Sequence, residues 1–222
     1  MNDPRAHVEA SINGFAVAEG CLRVGGIPLP RLAARVGGTP FFAYDRRLIT
    51  ERVALLRRHL PSSVHLSYAM KANPMPAVVQ YLAGLVDGFD VASDGELKTV
   101  LDTPMPVERI SFAGPGKTRA ELMQAVAAGV TLNLESEAEM ETVAAVGREL
   151  RLRPRTAVRV NPDFELRASG LRMAGGAKQF GVDAERVPAM LHRMQELELA
   201  FQGFHIYTGT QNLRAEAIGE AL

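Results

Sequence analysis

The chain of 222 residues is long enough for one closed α/β barrel, a fold that a single domain of about 200 to 250 residues can form. Its 25 basic and 25 acidic residues balance, which excludes a global field that attracts nucleic acid, and the single Cys21 excludes an internal disulfide or a cysteine metal cluster. Because the first ten residues lack the apolar run of a signal peptide, we expect a cytoplasmic protein without a membrane span.

The first part of the chain differs in composition from the rest. Residues 13–35 are rich in glycine and proline and hold two short apolar runs that predict small strands joined by turns, at 15–17 and 22–24. Farther on, residues 40–45 predict a short strand and residues 46–60 an amphipathic helix. A regular alternation of strands and helices begins only after this helix.

Six apolar segments then alternate with helical patterns. The predicted strands are 64–70, 88–92, 109–113, 130–135, 156–161 and 199–208, and the helices are 76–85, 94–102, 118–128, 136–150 and 183–196. This order indicates a parallel sheet wrapped by helices, and the absence of a Gly-x-Gly-x-x-Gly motif after the first strand favours a (β/α) barrel over a dinucleotide fold. Since a closed barrel takes eight strands, we expect a fragment or a partial gene model of a longer protein.

Polar residues gather where these predicted strands end, which is the face that carries the chemistry of such barrels. They are Lys71 and Asn73; Asp90, Ser93 and Glu96; Glu135 and Ser136; Arg159 and Asn161; and His205, Tyr207, Thr208, Thr210 and Gln211. Lys71 follows an alternating apolar run and precedes Asn73-Pro74, which end the predicted strand. A primary amine at a partly desolvated strand end suits Schiff-base chemistry with an aldehyde cofactor, although a lysine at such a position is more commonly a solvated surface charge.

Several strand-end residues also allow a purely structural role. Ser93 and Glu96 match the two positions of a helix capping box, so Glu96 is either a helix N-terminal acid or a site residue. The turn at 114–117 resembles a phosphate cradle weakly, and a structural turn is favoured. A buried Arg159 needs an anionic partner from the protein or a ligand, and His205 is either a core histidine or a ring that stacks on an aromatic cofactor. No His/Asp/Glu spacing predicts a metal site.

Three motifs in order resemble the fold-type III pyridoxal-phosphate (PLP) decarboxylases, the ornithine/diaminopimelate/arginine decarboxylase group. They are Tyr68-Ala69-Met70-Lys71-Ala72-Asn73, the segment 88–96 and Gly203-Phe204-His205-Ile206, and the resemblance runs from about residue 39 onward. Longer phrases at 159–166, 178–181 and 205–213 are similar to the branch that holds exosortase-associated decarboxylases and the carrier-protein-linked glutamyl decarboxylase. That branch implies an amino-acid moiety on a larger carrier.

The resemblance implies the architecture. The fold would be a (β/α)8 TIM-like barrel of the alanine racemase/decarboxylase type, truncated after about six βα units. Residues 1–38 would contribute strands to a β domain whose remainder is missing, and residues 39–222 would form a partial PLP-binding barrel. The full-length form would be a homodimer with its active site completed across the interface.

The resemblance also implies the roles of individual residues. Lys71 would be the Schiff-base lysine, and His205 would stack on the pyridine ring. Asp90 and Glu96 would line the cofactor site, and Arg159 would lie near the ring oxygen of PLP. The hydroxyl near the phosphate would be that of Thr208 or Thr210, with Thr208 favoured.

The function implied is that of a PLP-dependent carboxy-lyase acting on an amino acid or a carrier-linked derivative, and the 222 residues alone should bind PLP poorly and turn over nothing. A competing hypothesis is an amino-acid racemase of the same fold, although its lysine motif usually continues as Ala-Tyr-Gly, whereas Asn73-Pro74 follows here. Two further hypotheses are a non-catalytic PLP-binding protein and a parallel α/β scaffold that binds a partner protein.

Overall fold

The computed structural model describes residues 14–161 and 180–207. These residues divide into two compact units, one that ends at Val64 and one that begins at His65. The domain division that we predict between residues 38 and 39 stays a prediction. In the parts of the chain that are described, no helix has the length and apolar character that crossing a membrane requires.

The first unit begins with a small antiparallel sheet. It contains β1 (Ala16–Ala18), β2 (Cys21–Val24) and β3 (Ile27–Pro28), which pair in chain order. Gly25 and Gly26 have φ angles of 58° and 79°, and these left-handed conformations allow the tight turn between β2 and β3. The two small strands predicted in this region are therefore confirmed, and β3 is an addition.

Two helices follow. Helix α1 (Leu29–Val36), which the sequence did not predict, has proline in its first turn and ends at Gly37, whose φ of 93° is a common helix stop. Helix α2 (Arg46–His59) matches its prediction and begins after Asp45, whose carboxylate accepts a hydrogen bond from the Arg47 backbone.

The strand predicted at residues 40–45 is wrong, because this stretch pairs with no strand of the described chain. Its apolar run does not become a buried strand, since Phe42 is 91% exposed.

The second unit is built around a parallel sheet. Six strands lie side by side in chain order: β4 (Ser67–Ala69), β5 (Gly88–Val91), β6 (Ile110–Phe112), β7 (Thr131–Leu134), β8 (Arg155–Asn161) and β10 (Ala200–Ile206). The short strand β9 (Val182–Asp183) also pairs with β8. Each of the six side-by-side strands lies within or next to a predicted strand, so the strand order expected for a (β/α) barrel is confirmed, whereas β9 was not predicted.

Helices connect these strands. They are α3 (Pro76–Leu82), α4 (Asp94–Leu101), α5 (Arg119–Ala128), α6 (Glu137–Leu150) and α7 (Val187–Glu196). The core consists of apolar side chains of the sheet and the helices, among them the fully buried Phe89, Phe112 and Leu132. Strand–helix alternation places the carboxyl ends of all six parallel strands at one edge of the sheet.

Three consecutive helices begin with the same capping pattern. The pairs are Ser93 and Glu96, Thr118 and Glu121, and Ser136 and Glu139. In each pair the hydroxyl accepts a hydrogen bond from the backbone of the glutamate, and the glutamate reaches back to a backbone N–H near the helix start. These caps fix where the chain leaves the strand ends and turns into a helix.

Strand β4 is shorter than the predicted segment 64–70. It pairs with β5 only over Ser67 to Ala69, and residues Met70–Ala72 form a 3₁₀ turn. Lys71 therefore lies in this turn, two residues beyond the strand end, rather than at the end of the strand itself.

Candidate active site

Lys71 lies exposed at the carboxyl edge of the sheet, with its Nζ 5.7 Å from the centre of the Tyr207 ring. The two other lysines in the described ranges have carboxylate partners: Lys98 pairs with Asp94 at 2.7 Å, and the buried Lys117 pairs with Glu139 at 2.9 Å. No carboxylate of the described chain pairs with Lys71. Among the three lysines that the structure describes, Lys71 therefore has the one amine that no carboxylate of those residues engages, which leaves it available for covalent chemistry.

Arg159 is buried in β8 and has its anionic partner within the protein. Its Nη1 lies 3.0 and 3.2 Å from the two carboxylate oxygens of Glu135, which follows the end of β7. The side chains of Arg159 and Glu135 are 9% and 2% exposed, so the ion pair is almost completely removed from water. The sequence left open whether the anionic partner of a buried Arg159 comes from the protein or from a ligand. The structure shows that Glu135 is such a partner.

Aromatic rings surround the same guanidinium. Its Cζ lies 4.8 Å from the centre of the Phe180 ring and 5.5 Å from that of Tyr207. The Tyr207 ring also lies near the ammonium group of Lys71, so one ring is within cation–π distance of both the lysine and the arginine. The sequence placed Tyr207 among the strand-end residues but gave it no role.

His205 lies in β10, with its Cα beside that of Arg159 in the adjacent strand. Burial lowers the pKa of His205, and the charges of Arg159 and Lys71 act in the same direction, whereas those of Asp90 and Glu135 oppose them. Its Nδ1 is buried and has no hydrogen-bond partner among the residues that the structure describes. The result is a neutral ring that lies within electrostatic reach of Lys71, Asp90 and Arg159.

The two predicted acids differ in their contacts. Asp90 accepts a hydrogen bond of 2.7 Å from the hydroxyl of Ser111, its neighbour on β6, and its charge acts on His205. Glu96 instead accepts a hydrogen bond from the Ala92 backbone in the capping arrangement at the start of α4. The capping interpretation of Glu96 is therefore confirmed, while its contact with a cofactor stays a prediction.

The glycine-flanked turn at residues 114–117 is a structural element. The ammonium group of Lys117 donates to the carbonyl oxygens of Gly114 and Asn133 and pairs with Glu139. Burial raises the pKa of Glu139, and the charge of Lys117 acts against this shift. With three protein acceptors around its ammonium group, Lys117 is not arranged to bind a phosphate.

Four predicted site residues thus come together: Lys71, Asp90, Arg159 and His205. Thr208 and Thr210 lie outside the described residues, so the choice between them stays a prediction.

Sequence reasoning missed the importance of Glu135, although a usable signal existed, because a buried arginine on one strand predicts an acid at the end of a neighbouring strand.

The fold and this site define a (β/α) protein with an available lysine, a neutral histidine and a charge-balanced arginine at the carboxyl edge of its sheet. The profile of the family described as "Pyridoxal-dependent decarboxylase, pyridoxal binding domain" matches residues 46–222. The chain therefore belongs to this family, and the predicted recognition and the predicted cofactor, PLP, are confirmed at the level of the family.

Characterised relatives agree with this assignment. The chain is 32% identical over 186 residues to L-glutamyl-[BtrI acyl-carrier protein] decarboxylase of Niallia circulans, covering 83% of this chain and 44% of the relative. It is 34% identical over 207 residues to diaminopimelate decarboxylase of Aquifex aeolicus, covering 92% and 49%. The chain thus spans about half the length of the curated relatives that it matches.

Solved structures share the fold. A protein of Aquifex aeolicus superposes with a TM-score of 0.81 at 32% identity, over 96% of this chain and 50% of that one. The diaminopimelate decarboxylase of Helicobacter pylori complexed with L-lysine gives a TM-score of 0.74 at 28% identity, over 86% and 50%. The parallel sheet with alternating helices is therefore consistent with a TIM-like barrel of the kind that solved decarboxylase structures have.

The residues present fit PLP. Lys71 provides an amine without an acidic partner in the described chain, and His205 provides a ring with an unsatisfied buried nitrogen. Within the described residues, the hydrogen bonds of Arg159 engage only Nη1, which leaves N–H groups of the same guanidinium for an oxygen of a ligand.

Proposed function

We propose that this chain forms the PLP-binding part of an amino-acid decarboxylase. The observation that carries the proposal is the position of Lys71, whose amine has no carboxylate partner in the described chain and lies in one cluster with His205 and Arg159. When bound, PLP supplies an electron sink for the pair left by the departing carbon dioxide.

In this proposal each side chain has a distinct task. Lys71 would hold the cofactor covalently, and its amine would also be the group that moves a proton at the site. The neutral ring of His205 packs against the cofactor ring, and its lowered pKa keeps it neutral at neutral pH, which avoids a positive charge at that face. Arg159 donates a hydrogen bond to the ring oxygen, Asp90 and Glu96 line the site, and a threonine, Thr208 or Thr210, contacts the phosphate.

The substrate class in this proposal is an amino acid, either free or attached to a carrier protein. The support is the similarity to a decarboxylase whose name specifies a glutamyl group on an acyl-carrier protein, together with similarity to diaminopimelate decarboxylases. We further propose, from the family resemblance, that the whole protein acts as a homodimer. Because the 222 residues match about half of each relative, we propose that they turn over nothing by themselves.

Product analysis separates this function from that of a racemase with the same fold. The whole protein, loaded with PLP, is incubated with carboxyl-labelled diaminopimelate and with carboxyl-labelled glutamate attached to an acyl-carrier protein. We expect labelled carbon dioxide from one of the two substrates and none from the 222 residues alone. Inversion at the α-carbon without gas release, read by chiral chromatography of the amino acid, would instead identify a racemase, and neither change with either substrate would contradict the proposed substrate class.

A further inference from the structure

Glu135 is the most highly connected acid at the carboxyl edge of the described sheet. Its Oε1 accepts hydrogen bonds from the Gly114 backbone at 2.8 Å and from Arg159 Nη1 at 3.0 Å. Its Oε2 accepts from Arg159 Nη1 at 3.2 Å and from the Gly181 backbone at 3.0 Å. One carboxylate thus links the loop after β6, the strand β8 and the segment before β9.

The position of the Glu135 backbone is fixed as well. Its N–H donates to Glu139 Oε2 at 2.7 Å, in the capping arrangement at the start of α6. Gly181 has a φ of 74°, and a Cβ at this position would lie 2.9 Å from the carbonyl oxygen of Arg159. Only glycine therefore lets the Gly181 backbone approach closely enough to donate to Glu135. Backbone contacts from both sides hold the carboxylate in one place.

Within the described chain, the guanidinium of Arg159 therefore uses only part of its capacity to donate hydrogen bonds. Both hydrogen bonds that its guanidinium makes within the described chain run from Nη1 to Glu135, and its Cζ lies 4.8 Å from the centre of the Phe180 ring. A guanidinium carries five N–H donors in a fixed plane, so anchoring one nitrogen determines where the others point. The negative charge of Glu135 also balances the positive charge of Arg159 at a distance of about 3 Å in a site with little water, where electrostatic interactions are strong.

We propose that Glu135 is a positioning residue of the cofactor site, which turns the remaining N–H groups of Arg159 toward the ring oxygen of PLP and balances the arginine's charge. Arg159 then acts on the cofactor as an oriented hydrogen-bond donor with little net charge. The inference rests on the proposed function, because it assigns Arg159 to the PLP ring oxygen.

The charge balance has a measurable consequence. Replacing Glu135 by glutamine keeps the shape but leaves the charge of Arg159 uncompensated beside the cofactor. A nearby positive charge disfavours protonation, so the pH at which the bound cofactor changes its visible absorption must fall. At an effective dielectric constant of about 20 and a separation of about 10 Å, one unit charge corresponds to a shift of roughly one pH unit.

The first experiment is a spectroscopic pH titration of the PLP-loaded whole protein. We expect Glu135→Gln to lower the midpoint by about one pH unit and Glu135→Asp, which keeps the charge, to restore it to near the wild-type value. The matched control is Glu141→Gln, which removes an acid on the exposed side of the same helix that pairs with Arg193 and has no hydrogen bond to Glu135 or Arg159 within the described residues. Equal midpoints for Glu135→Gln and the wild type, or equal shifts for Glu135→Gln and Glu141→Gln, would overturn the proposal.

A second experiment tests the pair without PLP. Thermal unfolding of the cofactor-free protein is compared for Glu135→Gln, Arg159→Met and the double variant. We expect the decrease in Tm of the double variant to be about 5 °C smaller than the sum of the decreases in the two single variants. The reason is that each single change leaves a buried group without its partner, whereas the double change removes both groups. A double variant that is no more stable than additivity predicts, including one that does not fold, would overturn the pairing.

The two experiments distinguish the cofactor role of Glu135 from the function itself. A wild-type protein that takes up no PLP overturns the proposed function and the cofactor role of Glu135 together. A protein that takes up PLP but shows an additive cycle and an unshifted titration overturns the positioning role alone.

Discussion

Replacing Lys71 with alanine is expected to lower the rate of carbon dioxide release by at least about 10³-fold. The change removes the amine that binds PLP covalently, and no other lysine in the described ranges has an ammonium group free of a carboxylate partner to take its place. The visible absorption band of lysine-bound PLP should disappear in the same variant. Both effects are measured on the whole protein after incubation with PLP.

The control for this prediction is Lys98→Ala. Lys98 is an exposed lysine on α4 that pairs with Asp94 one helical turn away, and such surface pairs contribute little to stability. We expect this variant to keep the absorption band and to release carbon dioxide within about twofold of the wild-type rate. An unchanged spectrum in Lys71→Ala would remove the lysine assignment.

The largest expected effect on stability is that of Gly88→Ala at the start of β5. A Cβ on Gly88 would lie 2.4 Å from the carbonyl oxygen of Arg109 and 2.9 Å from Ser67 Oγ. The first of these contacts is with backbone, so two adjacent segments of the sheet would have to move apart. We expect the free energy of unfolding to fall by about 3 kcal/mol, which corresponds to a decrease in Tm on the order of 10 °C.

Gly95→Ala is the matched control for this substitution. A Cβ on Gly95 meets nothing within 4 Å, and the residue lies in the first turn of α4, where alanine favours the helix. Its free energy of unfolding should therefore be unchanged or raised by up to about 1 kcal/mol. Equal Tm values for Gly88→Ala and the wild type would contradict the close approach of β5 and its neighbours.

The sequence predicts the architecture of the second unit well, because its signals are local. Apolar strand runs alternate with capped helices, and pairs such as Ser93 and Glu96 mark the helix starts directly. In the first unit, the strand predicted at 40–45 was wrong and α1 was missed. There the apolar pattern is short, and whether residues such as Phe42 become buried depends on partners that periodicity does not reveal.

The sequence identified most residues of the site, but it did not predict the contacts that these residues make with one another. The resemblance identified Lys71, Asp90, Arg159 and His205, and the structure brings these four together. For Arg159 the sequence signal called for an acid at the end of a neighbouring strand but did not say which one, because Glu135 is 24 residues away in the chain and becomes its neighbour only when β7 and β8 pair. Contacts of this kind depend on strand register, which a local pattern does not specify.

Borohydride reduction followed by peptide mass mapping tests the central claim most directly. The reagent fixes PLP irreversibly to the lysine that holds it, and these 222 residues contain four candidates, Lys71, Lys98, Lys117 and Lys178. We predict that the whole protein carries the added phosphopyridoxyl mass on the peptide that contains Lys71. A label on any other lysine of the whole protein, with Lys71 unmodified, would contradict the account.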